Sequence, residues 1–289
     1  MKPLAQIKMI QLITTNFSRY QQLEKELHHA LKTTSKEELR HWAKCTALVF
    51  PKVTIRRAIN LAEVTGYAAK GTLSEAKNAI NASLEWRLRS HTKQRAVELS
   101  VFASESYNDV KKLSKTIKNL LRVNPKKTGT QMLMSVLGFN IGGGGLDGDG
   151  GIPDLDLLFS IGHHRSILTH SVLPMIIFEG LCISLIGLVN VVHSNLPEGH
   201  DPLWDDMKSS NKLVLESFFT GMSLGLAYHL GVDGTLHGDG SYKNLPFSMP
   251  KFGHQLIAGV NSLTELIDTT RSKIFKSNRS LIPVTGSSS

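Results

Sequence analysis

The chain has 289 residues, 41% of them apolar and 20% charged, enough for one large domain or two modest ones with a real hydrophobic core. Two cysteines, Cys45 and Cys182, exclude a disulfide framework and a cysteine-rich metal site, and read as small core residues of a reducing compartment. The net charge of +9 is unevenly placed: residues 1–127 hold 24 Lys+Arg against 10 Asp+Glu, and residues 128–289 hold 9 against 14. A basic first part suits an anionic partner, whether nucleic acid, membrane surface or acidic protein, but solvated helix faces give the same count.

The first twenty residues carry only a short, interrupted apolar run, so no secretory signal peptide is expected. Residues 1–125 read as successive helices with few turn-formers. Ser35–Glu38 and Thr72–Glu75 both match the capping box, in which a hydroxyl and a carboxylate three residues later satisfy open amides. Tyr107–Arg122 is basic and amphipathic. Asn124-Pro-Lys-Lys-Thr-Gly129 reads as a boundary. The expected organisation is therefore a basic helical region over 1–125, a second helical domain over 126–276 and a disordered tail over 277–289.

Within the second region a helix over 131–139 runs into IGGGGLDGDGG, where seven glycines in eleven residues predict an end to the helix. Pro153 resets the chain. Helices are then expected over 154–160, 166–193, 211–231 and 252–275. Leu173–Val192 has about the length of a membrane span, roughly 20 residues. Glu179 lies within it, where lipid would disfavour a charge, so a helix buried on all sides is the expectation. With no long period-2 run, the fold class is mainly α: a multi-helix bundle with a Gly-rich loop leading into a buried His/Asp metal site.

The chemistry concentrates in two segments. Asp154, Asp156, His164, Arg165 and His170 fall within 17 positions, and His229, Asp233 and His237 follow at intervals of four. Carboxylate and imidazole arriving from two segments are what a divalent cation requires. His229 and Asp233 share one helix face. His164 and His170, six apart, converge if a helix starts near Ser166 and His170 sits in its second turn. Asp154 and Asp156, two apart, are read as reaching one bridging metal, with Asp156 also catalytic. Arg165 would grip phosphate bidentately. His163 and His237 are further candidates. His28, His29, His193, His200 and His254 lack such company and are assigned to structure or surface. The stretch Asp147–Asp156 also resembles acidic, glycine-rich calcium loops, without the Glu that closes an EF-hand. The glycines suit a hinge, or a backbone approach to phosphate, and with no strand before them a dinucleotide fold is not expected.

These residues resemble the YdjM-type family of predicted metal-dependent hydrolases, mostly bacterial inner-membrane proteins. The family pattern runs PDxD, then HRxxTHS, then HxxxD with a Gly and a Pro downstream. Here Pro153–Asp156 supply the first element, with Leu157 where a His often follows. His164–Ser171 supply the second with one extra residue before Thr169. His229–Asp233 supply the third, with Gly240 and Pro246 beyond. The match covers about residues 148–250, and this chain lacks the several membrane spans usual in the family. The family is grouped with zinc-dependent phospholipase C and single-strand-nuclease-like folds. The resemblance implies metal-dependent hydrolysis of a phosphoester.

The expected activity is thus that of a metal-dependent phosphoester hydrolase, phospholipid favoured over nucleic acid. Zinc is the expected cofactor, with manganese or magnesium as alternatives, held by Asp154, Asp156, His164, His170, His229 and Asp233. Residues 1–125 would meet an anionic membrane or nucleic acid, placing the protein in the cytoplasm or at the inner membrane. The competing expectation is a non-enzymatic helical protein, membrane-associated or nucleic-acid-binding, whose cluster holds a structural ion.

Overall fold

A computed structural model describes residues 3–84, 88–146, 150–158, 165–236, 242 and 248–271. Among these the chain is mainly α, as its periodicity predicts, with no strand. Seven helices follow in order: α1 (Pro3–Thr33), α2 (Lys36–Leu84), α3 (Leu88–Val123), α4 (Pro125–Gly143), α5 (Leu173–Ser194), α6 (Leu203–Leu236) and α7 (Lys251–Arg271). A short 3-10 turn, Pro153–Leu158, lies between α4 and α5.

Of the two capping boxes, one forms. Ser35 N donates to Glu38 Oε2 at 2.9 Å, and Glu38 N donates to Ser35 Oγ at 3.1 Å. The Ser35 amide holds the Glu38 carboxyl below its ordinary value. Thr72 instead lies inside α2 and donates to the Ala68 carbonyl at 2.8 Å, so no helix starts there.

At the expected boundary, residue 125, a helix begins. Asn124 Oδ1 accepts from Lys127 N at 3.1 Å and Pro125 takes the first helical position, so the segment is an N-cap. By backbone contacts the chain forms two compact units, each discontinuous in sequence. Of the described residues, one contains 3–54 and 175–216; the other contains those within 55–174 and 217–271. The expected tail, 277–289, lies outside the described residues.

In the first unit Val49, Val53, Ile183 and Ile186 form a buried core, with Ile176 and Leu215 against it. Trp42 Nε1 donates to Ser184 O at 3.0 Å, and Phe50 fills the space left by the missing side chain of Gly180. Arg19 grips Asp201 through two 2.8 Å bonds, which with the Leu203 amide hold that carboxyl down at about 2. Among the described residues α5 is the one helix long and apolar enough to cross a membrane by length and composition. It is not buried on all sides, which corrects the expectation. Glu179 and Cys182 face inward, whereas Ile177, Leu181 and Leu185 are exposed at i, i+4 and i+8. Burial, then the neighbouring Glu179, pushes the Cys182 thiol up to about 11.

In the second unit α4 and α6 touch backbone to backbone. A methyl group on Gly138 would overlap the Phe218 carbonyl, one on Gly142 the Met222 carbonyl, and one on Gly221 the Ser135 carbonyl. Both helices thus carry glycines four apart, 138/142 and 221/225, along the line of contact. This explains two differences from the expected helix bounds. Gly142 and Gly143 stay helical, and α6 runs through its glycines to 236 rather than ending at 231, because packing gained there outweighs a helix-propensity cost of about 1 kcal/mol per Gly. The helix ends only at Gly144, in the left-handed region at φ 76°, whose amide donates to Asn140 O.

The same unit buries an ionic knot between α2, α6 and α7. Arg57 Nη1 donates to Glu265 Oε1 at 2.6 Å and lies 3.2 Å from Asp268 Oδ2; Asn60 donates to Asp268, and Ser223 Oγ to Glu265 at 2.9 Å. Burial, reinforced by Asp268, pushes the Glu265 carboxyl up to about 7 despite Arg57 and Ser223.

Candidate metal centre

The Ile152–Leu158 segment and the 165–172 loop bring the first set of candidates into place. Ile152 N donates to Ile141 O at 2.8 Å, which fastens the 3-10 turn to the end of α4, and the Asp154 carboxylate accepts from Gly150 N. The helix expected from Ser166 is absent: residues 165–172 are turns, and α5 starts only at Leu173. Pro174 lies in the first turn of α5, where a proline's missing N–H breaks no helix bond, so α5 can start beside it. His170 therefore sits on a loop. Its extra residue is absorbed by a turn in which Ser166 O accepts from His170 N at 2.9 Å.

That loop is held at each end. Asp156 Oδ2 accepts from Ser166 N at 3.0 Å and from Thr169 Oγ1 at 2.8 Å. Asn261 Oδ1 of α7 accepts from Val172 N at 3.1 Å. Tyr242 N donates to Arg165 O at 2.7 Å and its hydroxyl to His170 O at 2.9 Å. Tyr242 is fully buried and its ring lies parallel to His254, at 6.3 Å between centroids. Burial, then Asp233, raises its hydroxyl above the ordinary value. Arg165 and Tyr242 both adopt φ near 60°, a region costing non-glycine residues about 1–2 kcal/mol each. Strain of that kind at a loop this firmly bonded is a mark of functional sites.

Three candidates, Asp154, His170 and His229, then meet, and Asp233 lies against both imidazoles. His170 Nε2 lies 3.4 Å from Asp233 Oδ2 and 3.9 Å from Asp154 Oδ1; His229 Nε2 lies 3.5 Å and 3.9 Å from the same two atoms. Ligand atoms of Asp154, His170 and His229 all fall within 4.8 Å of one another, close enough to hold a metal ion. These separations exceed an ordinary N–H···O bond. They approach the edge of a tetrahedron with metal–ligand bonds of about 2.0–2.1 Å, which is about 3.3 Å.

Proton bookkeeping assigns the tautomers. The single hydroxyl proton of Thr169 goes to the Asp156 carboxylate, which can only accept. Thr169 Oγ1 must then accept at its 3.0 Å contact with His170 Nδ1, so Nδ1 carries the proton and Nε2 the lone pair. His229 Nδ1 faces the Gly143 carbonyl at 3.4 Å and is likewise the protonated nitrogen. The close α4–α6 packing is what brings Gly143 O within reach. Both imidazoles thus present Nε2 to the two carboxylates, the tautomer a metal uses.

The electrostatics agree. Burial lowers the His229 pKa, but Asp233 and Asp154 outweigh it, leaving the group above its ordinary value. Burial raises Asp233, but His229, Arg165 and His170 outweigh it, leaving that carboxyl below its ordinary value. At His229 the neighbouring carboxylates thus favour positive charge.

The remaining candidates divide. Arg165 Nη2 lies 3.4 Å from Asp233 Oδ1, beside the cluster and partly exposed. Asp156 is corrected from its expected place among the ligands: it faces the Nδ1 edge of His170 at 3.6 Å, away from Nε2. Two residues on a three-per-turn helix diverge by about 120°, so Asp154 and Asp156 cannot aim at one point. His163, His164 and His237 lie outside the described residues, as do Asp147 and Asp149 of the calcium-like loop.

Sequence spacing missed Thr169, Gly143, Tyr242 and Asn261, which act on the site through single hydrogen bonds; only Thr169, inside the HRxxTHS-like element, carried a signal. It also left His193 and His200 without company. His193 Nε2 lies 2.7 Å and His200 Nε2 3.4 Å from Asp205 Oδ1, an exposed carboxylate of the first unit held below its ordinary value chiefly by these two imidazoles. Comparison with protein-family models, with curated proteins and with solved structures finds no match.

Proposed function

We propose that this protein is a metal-dependent phosphoester hydrolase whose ion is held by Asp154, His170, His229 and Asp233. The observation that carries the reading is the convergence of two Nε2 lone pairs and two carboxylates at 3.4–3.9 Å, with each Nδ1 held from behind. Two neutral imidazoles with two carboxylates suit zinc, and manganese next. Bound there, such an ion would supply Lewis acidity and would lower the pKa of water toward neutral. Asp156 and Thr169 orient His170. Arg165 presents a guanidinium to the phosphoryl oxygens, positioned by Asp233 and by the backbone bond from Tyr242. This reading agrees with the YdjM-type resemblance.

A phospholipid fits better than a nucleic acid. Arg165 is the one basic residue between 128 and 207, whereas a polynucleotide needs several phosphate contacts. The segments carrying the site instead expose large apolar side chains: Leu155, Leu157, Leu168 and Leu236. The test is turnover of bis(p-nitrophenyl) phosphate, phosphatidylcholine vesicles and single-stranded DNA by EDTA-treated protein, before and after zinc or manganese is restored. Restored cleavage, faster on vesicles than on DNA and reduced about a hundredfold by Arg165→Ala, is expected. Stoichiometric metal without turnover of any substrate would make the ion structural and overturn the enzymatic reading.

A further inference from the structure

A pocket of about 400 Å³ in the second unit lies between α2, α7 and the 165–172 loop. Its wall is apolar except for Thr65, Ser171 and Asn261, and each of these bonds to backbone. Thr65 Oγ1 donates to Leu61 O at 2.7 Å, and Ser171 Oγ accepts from Leu173 N at 3.2 Å. Asn261 uses both ends of its amide, accepting from Val172 N at 3.1 Å and donating to Ile257 O at 2.8 Å. The polar atoms of this wall therefore serve the fold, and what remains selects apolar matter. Pockets that recognise polar ligands differ in keeping a few polar groups convergent on the ligand.

The pocket and the candidate metal centre share one loop. Ile167, Ser171 and Val172 line it, while Arg165 and His170 of the same loop face the His/Asp cluster. Adjacent residues are about 3.8 Å apart, so one short loop separates an apolar wall from a phosphoryl-binding one. We propose that this pocket takes a single aliphatic chain of the substrate, so that the loop reads the tail of a phospholipid on one side and its phosphoester on the other. The assignment rests on the phosphoester reading given above for what lies across the loop. At about 30 Å³ per group of water size, the space suits on the order of a dozen methylenes.

The test is calorimetric titration of n-alkylphosphocholines, hexyl to tetradecyl and below micelle formation, into the full chain held in EDTA. Affinity is expected to rise about fourfold per methylene until the pocket is full, then level off. Ala68→Trp, which places a ring into the pocket from α2, should weaken dodecyl binding about tenfold or more and flatten the series. Leu61→Ala should move the plateau to longer chains. Melting temperature and zinc content matching wild type identify a folded Ala68→Trp protein. The same chain-length series in wild type and both variants, or none in wild type, overturns the pocket assignment. Because these titrations need no metal, a wild-type chain that binds alkyl ligands but no ion would sink the hydrolase reading and leave the pocket standing.

Discussion

The second unit buries two ionic clusters, and they differ in how closely they are knit. Around Arg57 the groups meet at 2.6–3.2 Å, with the guanidinium between two carboxylates. Around His170 and His229 the contacts open to 3.4–3.9 Å, and every Nε2 faces a carboxylate rather than a carbonyl. The first spacing is that of a knot closed on itself, which fixes α2 against α7. The second is that of a cradle whose members are each held from behind, by Gly150, Thr169, Gly143 and Arg165. The two clusters are alike in burial and charge; they differ in their distances and tautomers.

The largest expected effect that would break this comparison is on stability. Arg57→Ala removes the buried guanidinium from Glu265 and Asp268 and should cost about 3–5 kcal/mol in urea unfolding. His170→Ala, measured without metal, should cost much less than that. A comparable loss from both would mean the two clusters are alike. Next, Gly142→Ala should push α4 from α6, destabilise by about 1–3 kcal/mol and weaken metal affinity through Gly143 O. Thr169→Val keeps shape but removes the hydroxyl link to Asp156, and should lower zinc affinity about 10–100-fold in a competition titration with little change in stability.

A smaller effect follows from Glu265. Its folded pKa, about 7, lies above the ordinary 4.5, so the folded state holds the extra proton between those values. The stability it contributes is full below the lower value and is lost as pH rises through about 7. Glu265→Gln should flatten that part of the stability–pH curve, measured by urea unfolding across the same range. The smallest effect is expected at the His193, His200 and Asp205 trio of the first unit. His193 Nε2 already donates to Asp205 at 2.7 Å, so His200→Ala should leave zinc stoichiometry unchanged and stability within about 0.5 kcal/mol.

Much of the fold was legible because helical periodicity is local. What was not legible depended on distant partners. Gly221 and Gly225 read as weak points of a helix until α4 supplies a backbone to meet them. Asn124-Pro125 read as a linker because a cap and a boundary share the same residues, and units discontinuous in sequence leave no single boundary to find. At the site, His229 and Asp233 followed directly from i, i+4 spacing. Asp156 was misplaced because a 3-10 turn carries it, on which residues two apart diverge by about 120°. Tyr242 gave no signal at all, since it works through its amide and hydroxyl on residues 77 and 72 positions away.

The central claim is that Asp154, His170, His229 and Asp233 together hold one kind of divalent ion. The most direct measurement is metal content by mass spectrometry of the purified full chain beside the His170→Ala/Asp233→Ala double variant, both folded by circular dichroism. Bound zinc or manganese in the wild type and its loss in the double variant is the predicted result; equal metal content in the two would contradict the assignment.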